Sequence, residues 1–241
     1  MLIKKLRSFY NTIKTTSSCV QELLWAKTWD DTKSGIEWMK DLPSISPGRW
    51  AVGYNYLYVM TRILNEIEPE CVLDMGLGIS STLISQYFSH RSGNGSRGIH
   101  DIIEQDPQWA SFYLKKHSLS DASRIYSVPC VEKEYRGCSY NAYSDIGPIV
   151  RGKKYHVISV DGPIGSSSYS RRDILEYLPD ILCDRFAIVL DDTNRTGERA
   201  TVEEIMTVLE SNGISCYKEN YPGSSNCTVI VSSDLGFLCS M

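Results

Sequence analysis

The chain has 241 residues and a formal net charge of −4, and 42% of its residues are hydrophobic against 22% charged. This composition is that of a globular protein and excludes a disordered or collagen-like chain. The pI near 5.6 argues against a general nucleic-acid binder. The longest purely apolar run, Phe186–Leu190, is far too short to span a bilayer.

The eight cysteines show neither a zinc-finger spacing nor a CxxC pair. Several lie in apolar, strand-like runs, as Cys71 does beside Val72 and Leu73. We therefore expect buried, free thiols in a reducing compartment. No apolar stretch follows the basic start of the chain, so we expect no secretory signal and a cytoplasmic location.

The first 16 residues hold four basic side chains and no acid, and their apolar residues recur at helical spacing. The basic residues are Lys4, Lys5, Arg7 and Lys14. The pattern predicts a basic amphipathic helix, which either rests on the inner face of an anionic membrane or packs on the domain. We expect residues 1–49 to form an N-terminal helical extension and residues 50–241 to form one domain. The sequence does not specify the oligomeric state.

Further helices are predicted over residues 17–45 and 50–66, because apolar residues recur at helical spacing up to breaks at prolines. From residue 70, short apolar runs alternate with helical patterns. The predicted strands are 71–76, 98–104, 123–129, 155–162, 186–192, 214–220 and 227–233. The predicted helices between them are 80–88, 108–117, 171–182 and 200–212. A long polar loop is expected from residue 131 to 154.

Alternating strands and helices predict a parallel α/β sheet with right-handed crossovers. The last two strands have no helix between them, so they are expected to form an antiparallel hairpin. Parallel βα units that end in a β-hairpin are unusual for a dehydrogenase and match the Rossmann-like class I methyltransferase fold.

The strongest motif runs from Val72 to Ser81, where a buried strand ends in an acid and a glycine loop opens a helix. Glycines let a ligand approach the backbone, and a helix N-terminus offers free N–H groups. Ser80 is placed to cap that helix. Ser81 stands where a dinucleotide fingerprint has its third glycine, which disfavours a pyrophosphate ligand. A tight turn without a ligand is the structural alternative.

The second motif is Glu104 at the end of the next strand, followed by Gln105-Asp106-Pro107. A carboxylate in this position can accept both ribose hydroxyls of an adenosine. The alternative is that Glu104 caps the following helix. Asp106 before a proline already supplies that cap, which leaves Glu104 spare.

Two more motifs follow apolar strands, with Asp161 after one and Asp191-Asp192 after the other. Their carboxylates are expected to converge, and like charges so close repel unless a cation or a proton lies among them. Oxygen ligands suit Mg²⁺, Mn²⁺ or Ca²⁺. A metal-free alternative makes one aspartate the general base for a substrate hydroxyl. Alternatively, Asp191 and Asp192 serve only the turn and the next helix. The arginines just beyond these edges are more simply interpreted as exposed than as anion ligands.

These motifs together resemble class I S-adenosylmethionine-dependent methyltransferases over residues 50–241. The likeness extends to bacterial polysaccharide-cluster methyltransferases and to the plant glucuronoxylan 4-O-methyltransferases. The plant family has FGLG, EEDPKW, IDAP and HDVNR stretches. The similar stretches here are Gly76-Leu77-Gly78, Glu104–Trp109, Val160–Pro163 and Asp191–Arg195. Asp191 stands where the plant pattern has His.

The resemblance implies that Gly76, Gly78 and Ser80 hold the methionyl part of S-adenosylmethionine and that Glu104 binds its ribose. The full cofactor-binding set that we predict is Asp74, Gly76, Leu77, Gly78, Ser80, Ser81, Glu104, Gln105 and Asp161. The resemblance places Asp161 beside the sulfonium and the acceptor hydroxyl, and we predict that Asp161 and Asp191 are catalytic. Paired carboxylates are similar to the metal site of catechol-type O-methyltransferases, which implies that Asp161, Asp191 and Asp192 bind Mg²⁺ or Mn²⁺.

The predicted function is methylation of a sugar hydroxyl in a surface polysaccharide or its precursor, with a small-molecule or other hydroxyl acceptor left open. The basic N-terminal helix fits a lipid-linked acceptor at the inner membrane face. One alternative is a nicotinamide-dependent oxidoreductase. Another is a non-catalytic methyltransferase-fold partner in a polysaccharide assembly complex. No nucleic-acid partner is expected.

Overall fold

The computed structural model describes residues 2–45, 51–95 and 98–241, without side chains for 2–8, 10–12 and 14. Its main body is a seven-stranded sheet in the order β3-β2-β1-β6-β7-β9-β8. The seven strands are β1 (Cys71–Met75), β2 (Ile99–Glu104), β3 (Ser123–Ser127), β6 (Tyr155–Val160), β7 (Leu182–Leu190), β8 (Cys216–Tyr221) and β9 (Cys227–Ser232). The first five run parallel, and β9 pairs antiparallel with both β7 and β8. This order confirms the predicted Rossmann-like class I methyltransferase fold, including its terminal hairpin.

Six α-helices connect or flank these strands in the described residues. They are α1 (Leu2–Ser34), α2 (Tyr54–Ile67), α3 (Ile79–Gly93), α4 (Pro107–Leu114), α5 (Gly147–Val150) and α6 (Thr196–Ser211). The two predicted N-terminal helical segments form one continuous helix, but it ends at Ser34 and not at residue 45. Only a 3₁₀ turn at Glu37–Met39 follows it. Trp50, where the next helix was predicted to begin, lies outside the described residues.

The predicted loop from residue 131 to 154 is wrong, because a β-hairpin occupies most of it. Strands β4 (Cys130–Tyr135) and β5 (Cys138–Tyr143) pair antiparallel as a separate two-stranded sheet. The two residues between them, Arg136 and Gly137, have φ of +50° and +74°. Two left-handed residues make the tight turn that matches the twist of a hairpin, and a glycine at the second position favours it.

The predicted helix over residues 171–182 is also wrong. Only Asp173–Glu176 forms a 3₁₀ turn, and Leu182 already begins β7. Pro179 lacks an N–H and disfavours helical backbone at the residue before it, so a helix cannot continue through this stretch. Arg171 lies in the left-handed region with φ +54°. The crossover from β6 to β7 is therefore largely irregular.

Helix α1 is held on the body of the protein by buried aromatic side chains near its C-terminal end. Trp29 is 3% exposed, and its indole N–H donates to the Thr61 hydroxyl of α2 at 3.0 Å. Trp38, in the following 3₁₀ turn, meets Tyr87 of α3 edge-to-face at 5.6 Å between ring centroids. These contacts make the C-terminal part of α1 continuous with the core on one face of the sheet.

All eight cysteines are free, as predicted, but only Cys227 is buried and most others are partly exposed. The prediction of buried thiols therefore holds for one of them. No helix in the described part of the chain is long and apolar enough to cross a membrane.

Replacing Trp29 with alanine should lower the free energy of unfolding by about 3–5 kcal/mol, because it empties a buried aromatic site and removes the indole hydrogen bond to the Thr61 hydroxyl. Leu24→Ala, at a side chain that is 63% exposed on the same helix, should change it by less than about 0.5 kcal/mol. Urea unfolding of both variants measures the difference. Equal effects would mean that α1 does not pack as described.

Candidate active site at the carboxyl edge of the sheet

The predicted site residues follow β1, β2, β6 and β7, which are neighbours in the sheet order β2-β1-β6-β7. These four strands are parallel, so their carboxyl ends lie side by side at one edge. Ligands of open α/β sheets bind at this edge. The topology therefore brings the glycine loop, Glu104 and the aspartates to one side of the molecule.

The glycine loop after β1 lies directly against the loop after β6. The N–H groups of Asp161 and Gly162 both donate to the Met75 carbonyl, at 2.9 and 2.6 Å. Gly76 has φ +112°, and a Cβ there would lie 3.1 Å from the Gly162 nitrogen. A Cβ on Gly162 would lie 2.3 Å from the Tyr143 hydroxyl oxygen. Both positions need glycine because two backbones and one ring meet there.

Asp74 anchors the glycine loop from inside the protein. Its side chain is fully buried and accepts hydrogen bonds from the Ser81 and Ser159 hydroxyls at 2.5 and 2.6 Å. The Ser81 hydroxyl also accepts from the Gly78 N–H at 3.1 Å. Ser81 therefore caps α3, whereas the sequence assigned that role to Ser80. Asp74 and Ser81 are placed to support the loop, because their polar atoms already pair with protein groups.

Glu104 connects the ends of β1 and β2. Its two carboxylate oxygens accept from the Leu77 N–H at 3.0 Å and the Asp106 N–H at 2.7 Å. Asp106 caps α4 by accepting from Gln108 N–H, as predicted. Both oxygens of Glu104 therefore already accept a hydrogen bond within the protein. Each oxygen keeps a second lone pair for another donor. Burial raises the pKa of Glu104, and the backbone hydrogen bonds oppose that shift.

Gln105 reaches from the end of β2 across to the loop that follows β6. Its side-chain oxygen accepts from the Ile164 N–H at 3.1 Å. Because β1 lies between β2 and β6, this bond spans the edge above the glycine loop. The predicted cofactor-binding residues Leu77, Glu104 and Gln105 thus lie together around one short stretch of the edge.

The three predicted aspartates converge, with oxygens of Asp161, Asp191 and Asp192 within 4.8 Å of one another. A cation already lies among them. The Arg171 guanidinium is within 3.1 Å of Asp161 Oδ1 and 2.8 Å of Asp192 Oδ2. It also donates to the Asp191 backbone carbonyl at 3.1 Å. Arg171 is buried and always charged, so it balances part of the negative charge.

A fourth acid and a second arginine complete the cluster. Glu198 of α6 is fully buried, and neither of its carboxylate oxygens has a hydrogen-bond partner among the described residues. Its Oε1 lies 4.0 Å from Arg171 Nε and 3.8 Å from Arg195 Nη1. Arg195 also contacts Asp192 Oδ2 at 2.9 Å. Four carboxyl groups therefore surround two guanidinium groups, and the excess favours proton uptake by an acid.

The pKa values follow from this arrangement. Burial and the charge of Asp192 raise the pKa of Asp161 to about 6, and Arg171 opposes that shift. Burial, together with Asp161 and Asp192, raises the pKa of Asp191 well above its ordinary value. Asp161 can thus exchange a proton near neutral pH, as a general base requires.

Sequence reasoning missed three contributors to this edge, namely Arg171, Glu198 and Tyr143. The sequence placed Arg171 on an exposed helix. The only feature of the sequence that pointed to its role in the site was the need for a cation among the aspartates. Tyr143 ends the hairpin that was predicted as loop, and its N–H donates to Asp173 at 2.8 Å. Glu198 is the third residue of α6 and carried no distinguishing pattern.

The predicted metal ligands offer the right atoms but not a free position. Carboxylate oxygens suit Mg²⁺ or Mn²⁺, and three of them converge here. Two of the three acids already bind the Arg171 guanidinium, which cannot be deprotonated and would repel a second cation. The residues present therefore fit an internal arginine better than a resident metal. The metal assignment stays a prediction.

Of the known proteins compared with this chain, only solved structures are similar to it. No protein-family model matches the sequence, and no curated protein matches it. Spermidine synthase in complex with the transition-state analogue AdoDATO is 16% identical, over 68% of this chain and 55% of that chain, with a TM-score of 0.44. A methyltransferase from Pyrococcus furiosus is 14% identical, over 73% of this chain and 82% of that chain, with a TM-score of 0.41. The 16S rRNA methylase ArmA is 13% identical, over 86% of this chain and 97% of that chain, with a TM-score of 0.41.

This chain spans about half of the length of that spermidine synthase. At such identities and TM-scores, the substrates of these enzymes are not transferred to it. The assignment of fold rests on the sheet order and the strand directions described above.

The raised pKa of Asp161 predicts a pH-dependent cost to stability. The folded pKa is about 6 and the unfolded value about 3.9, so the wild type loses stability as pH rises from about 4 to about 7. Asp161→Asn does not titrate, so its free energy of unfolding relative to wild type should rise by about 2 kcal/mol over that window. Urea unfolding at both ends of the window measures this. Asp121→Asn, at an exposed acid, should show no such trend, and parallel curves for the Asp161 variant would contradict the assignment.

Proposed function

We propose that the protein is an S-adenosylmethionine-dependent O-methyltransferase that acts on a sugar hydroxyl of a polysaccharide or its precursor. The observation that carries the proposal is Glu104, a buried carboxylate that the ends of β1 and β2 hold against the glycine loop. A carboxylate beside a loop that only glycine can form is the arrangement that an adenosine-containing ligand needs.

The residues present fit this cofactor. The free lone pairs of Glu104 would accept the ribose hydroxyls. Gly78, where a Cβ would meet nothing within 4 Å, leaves the space above β1 open. Asp74 and Ser81 would keep the loop in place without touching the ligand. When bound, S-adenosylmethionine supplies an electrophilic methyl group on a sulfonium. The protein then has to align the acceptor oxygen and remove its proton.

Asp161 is the proposed proton acceptor for the sugar hydroxyl. Its side chain is 23% exposed at the carboxyl edge, whereas Glu198 is fully buried and Asp192 is bound by two arginines. With a pKa of about 6 it is largely ionised at neutral pH and able to take a proton. Arg171 is a positioning residue, because it holds Asp161 Oδ1 at 3.1 Å. Asp191, with its raised pKa, is placed to share the proton.

A polar groove that begins next to Asp192, at Thr193 and Asn194, supports a saccharide acceptor. The groove has a volume of about 390 Å³ and lies between the start of α6 and the β8–β9 hairpin. Among the residues that line it are Thr193, Asn194, Lys218, Asn220 and Asn226. Amides, hydroxyls and an ammonium offer both donors and acceptors, which is what the hydroxyls of a sugar require. Its volume is within the range of small-molecule sites.

Glu104→Gln should weaken S-adenosylmethionine binding about 10- to 100-fold, because the ribose hydroxyls lose a charged acceptor and the new NH2 group cannot accept from the Leu77 or the Asp106 N–H. Calorimetric titration with S-adenosylmethionine, S-adenosylhomocysteine and NAD⁺ measures this. Glu132→Gln, at an exposed acid of β4, is the matched control and should bind as the wild type does. Binding of NAD⁺ alone would favour an oxidoreductase, and binding of none would favour a non-catalytic partner.

Asp161→Asn should lower turnover by about 10²- to 10⁴-fold while S-adenosylmethionine still binds, because the acceptor loses its base. Turnover is measured as S-adenosylhomocysteine release over a panel of saccharide acceptors. EDTA should leave wild-type turnover unchanged, since Arg171 supplies the positive charge. Inhibition by EDTA that Mg²⁺ or Mn²⁺ reverses would instead support the metal assignment. An active Asp161 variant would disprove the role of this residue.

A further inference from the structure

The described side chains of helix α1 pack on the rest of the protein by one face. Glu22 accepts from the Tyr54 N–H at 2.8 Å, and the Trp25 indole donates to the Pro222 carbonyl at 2.6 Å. One turn further on, Trp29 bonds Thr61. These residues recur at intervals of three and four, so they lie on a single side of the helix.

The opposite side of α1 carries an exposed apolar stripe. The exposed fractions of its side chains are 66% for Phe9, 52% for Ile13, 49% for Val20, 71% for Leu23 and 63% for Leu24. At about 100° per residue these positions lie roughly opposite Glu22 and Trp25, and at 1.5 Å per residue they extend over about 22 Å. Such a contiguous exposed apolar surface marks an interaction site.

The charge of this segment indicates what covers the stripe. Residues 1–21 contain four basic residues and no acid, and Glu22 is the first acid of the chain. The remainder of the chain carries a net charge of −8. A second copy packed stripe against stripe would bring its own basic segment and no counter-charge at that contact. Anionic lipid headgroups supply both the counter-charge and an apolar layer beneath it.

We propose that the stripe from Phe9 to Leu24 lies flat in the headgroup region of an anionic membrane, with the domain on the opposite face of the helix. This places more of α1 on the membrane than its first 16 residues. The domain does not obstruct this contact, because its bonds to Glu22, Trp25 and Trp29 all come from the other side.

The same arrangement keeps the carboxyl edge of the sheet close to the membrane-bound helix. The turn at residues 222–225 bonds α1 through the Pro222 carbonyl, and the Ser225 hydroxyl of that turn donates to Asp192 at 2.8 Å. A lipid-linked saccharide would therefore reach Asp161 while its lipid stays in the bilayer. This last step rests on the proposed function, whereas the membrane contact does not.

Co-sedimentation of the full-length protein with lipid vesicles tests the contact. Binding to vesicles that contain phosphatidylglycerol should exceed binding to pure phosphatidylcholine at least about tenfold, and salt should weaken it. The double variant Ile13→Glu with Val20→Glu should lose at least about tenfold in binding. Thr15→Glu with Cys19→Glu adds the same charge at exposed positions off the stripe, so it should retain most of the binding. Both variants alter exposed side chains, so their melting temperatures should match the wild type.

Three outcomes would overturn the proposal. The first is equal affinity for neutral and anionic vesicles, and the second is equal loss in both double variants. The third is a wild-type dimer in sedimentation velocity that the stripe variant converts to a monomer, because a second copy would then cover the stripe. Calorimetry with S-adenosylmethionine on the same variants keeps failure of this proposal distinct from failure of the proposed function.

Discussion

The carboxyl edge of the sheet depends on the buried guanidinium of Arg171. Two like charges 4 Å apart repel by about 4 kcal/mol at an effective dielectric constant of 20, and this edge holds several such pairs. Arg171 offsets that repulsion by bonding Asp161 and Asp192 directly and the Asp191 backbone as well. It thereby ties the end of β6 to the end of β7. Removal of one partner from such a cluster would leave uncompensated charge in the interior.

The irregular crossover between β6 and β7 places the Arg171 side chain in the interior. A regular helix over the same residues would carry Arg171 on an outer surface, whereas the left-handed backbone at this position turns its side chain inward. The same crossover also binds its neighbours. Asp173 accepts from the Tyr143 N–H of the hairpin, and the Ser170 carbonyl accepts from the Thr201 hydroxyl of α6. The hairpin, the crossover and α6 thus support the site together.

The sequence predicts the parts of this protein whose cause is local. Buried parallel strands read as apolar runs, and an acid or glycine at the end of each run fixes the edge where Gly76, Glu104 and Asp161 lie. The errors in the hairpin at 130–143 and in the crossover at 171–182 concern segments whose structure depends on tertiary contacts. The turn at Arg136-Gly137 gave a usable local signal, since a glycine in a two-residue turn favours a hairpin. The pairing of Arg171 gave none, because its partners Asp161 and Asp192 lie 10 residues before it and 21 residues after it.

The β8–β9 turn connects the N-terminal helix to the acids of the site. Asn55, at the start of α2, donates to the Tyr221 and Ser225 carbonyls at 2.8 Å each, and Trp25 of α1 bonds the next residue after Tyr221. The Ser225 hydroxyl then donates to Asp192. A shift of α1 would therefore move a hydroxyl group that donates to Asp192. Because the charge of Asp192 raises the pKa of Asp161, the position of α1 is linked to the site, although none of the described side chains of α1 contacts the clustered acids.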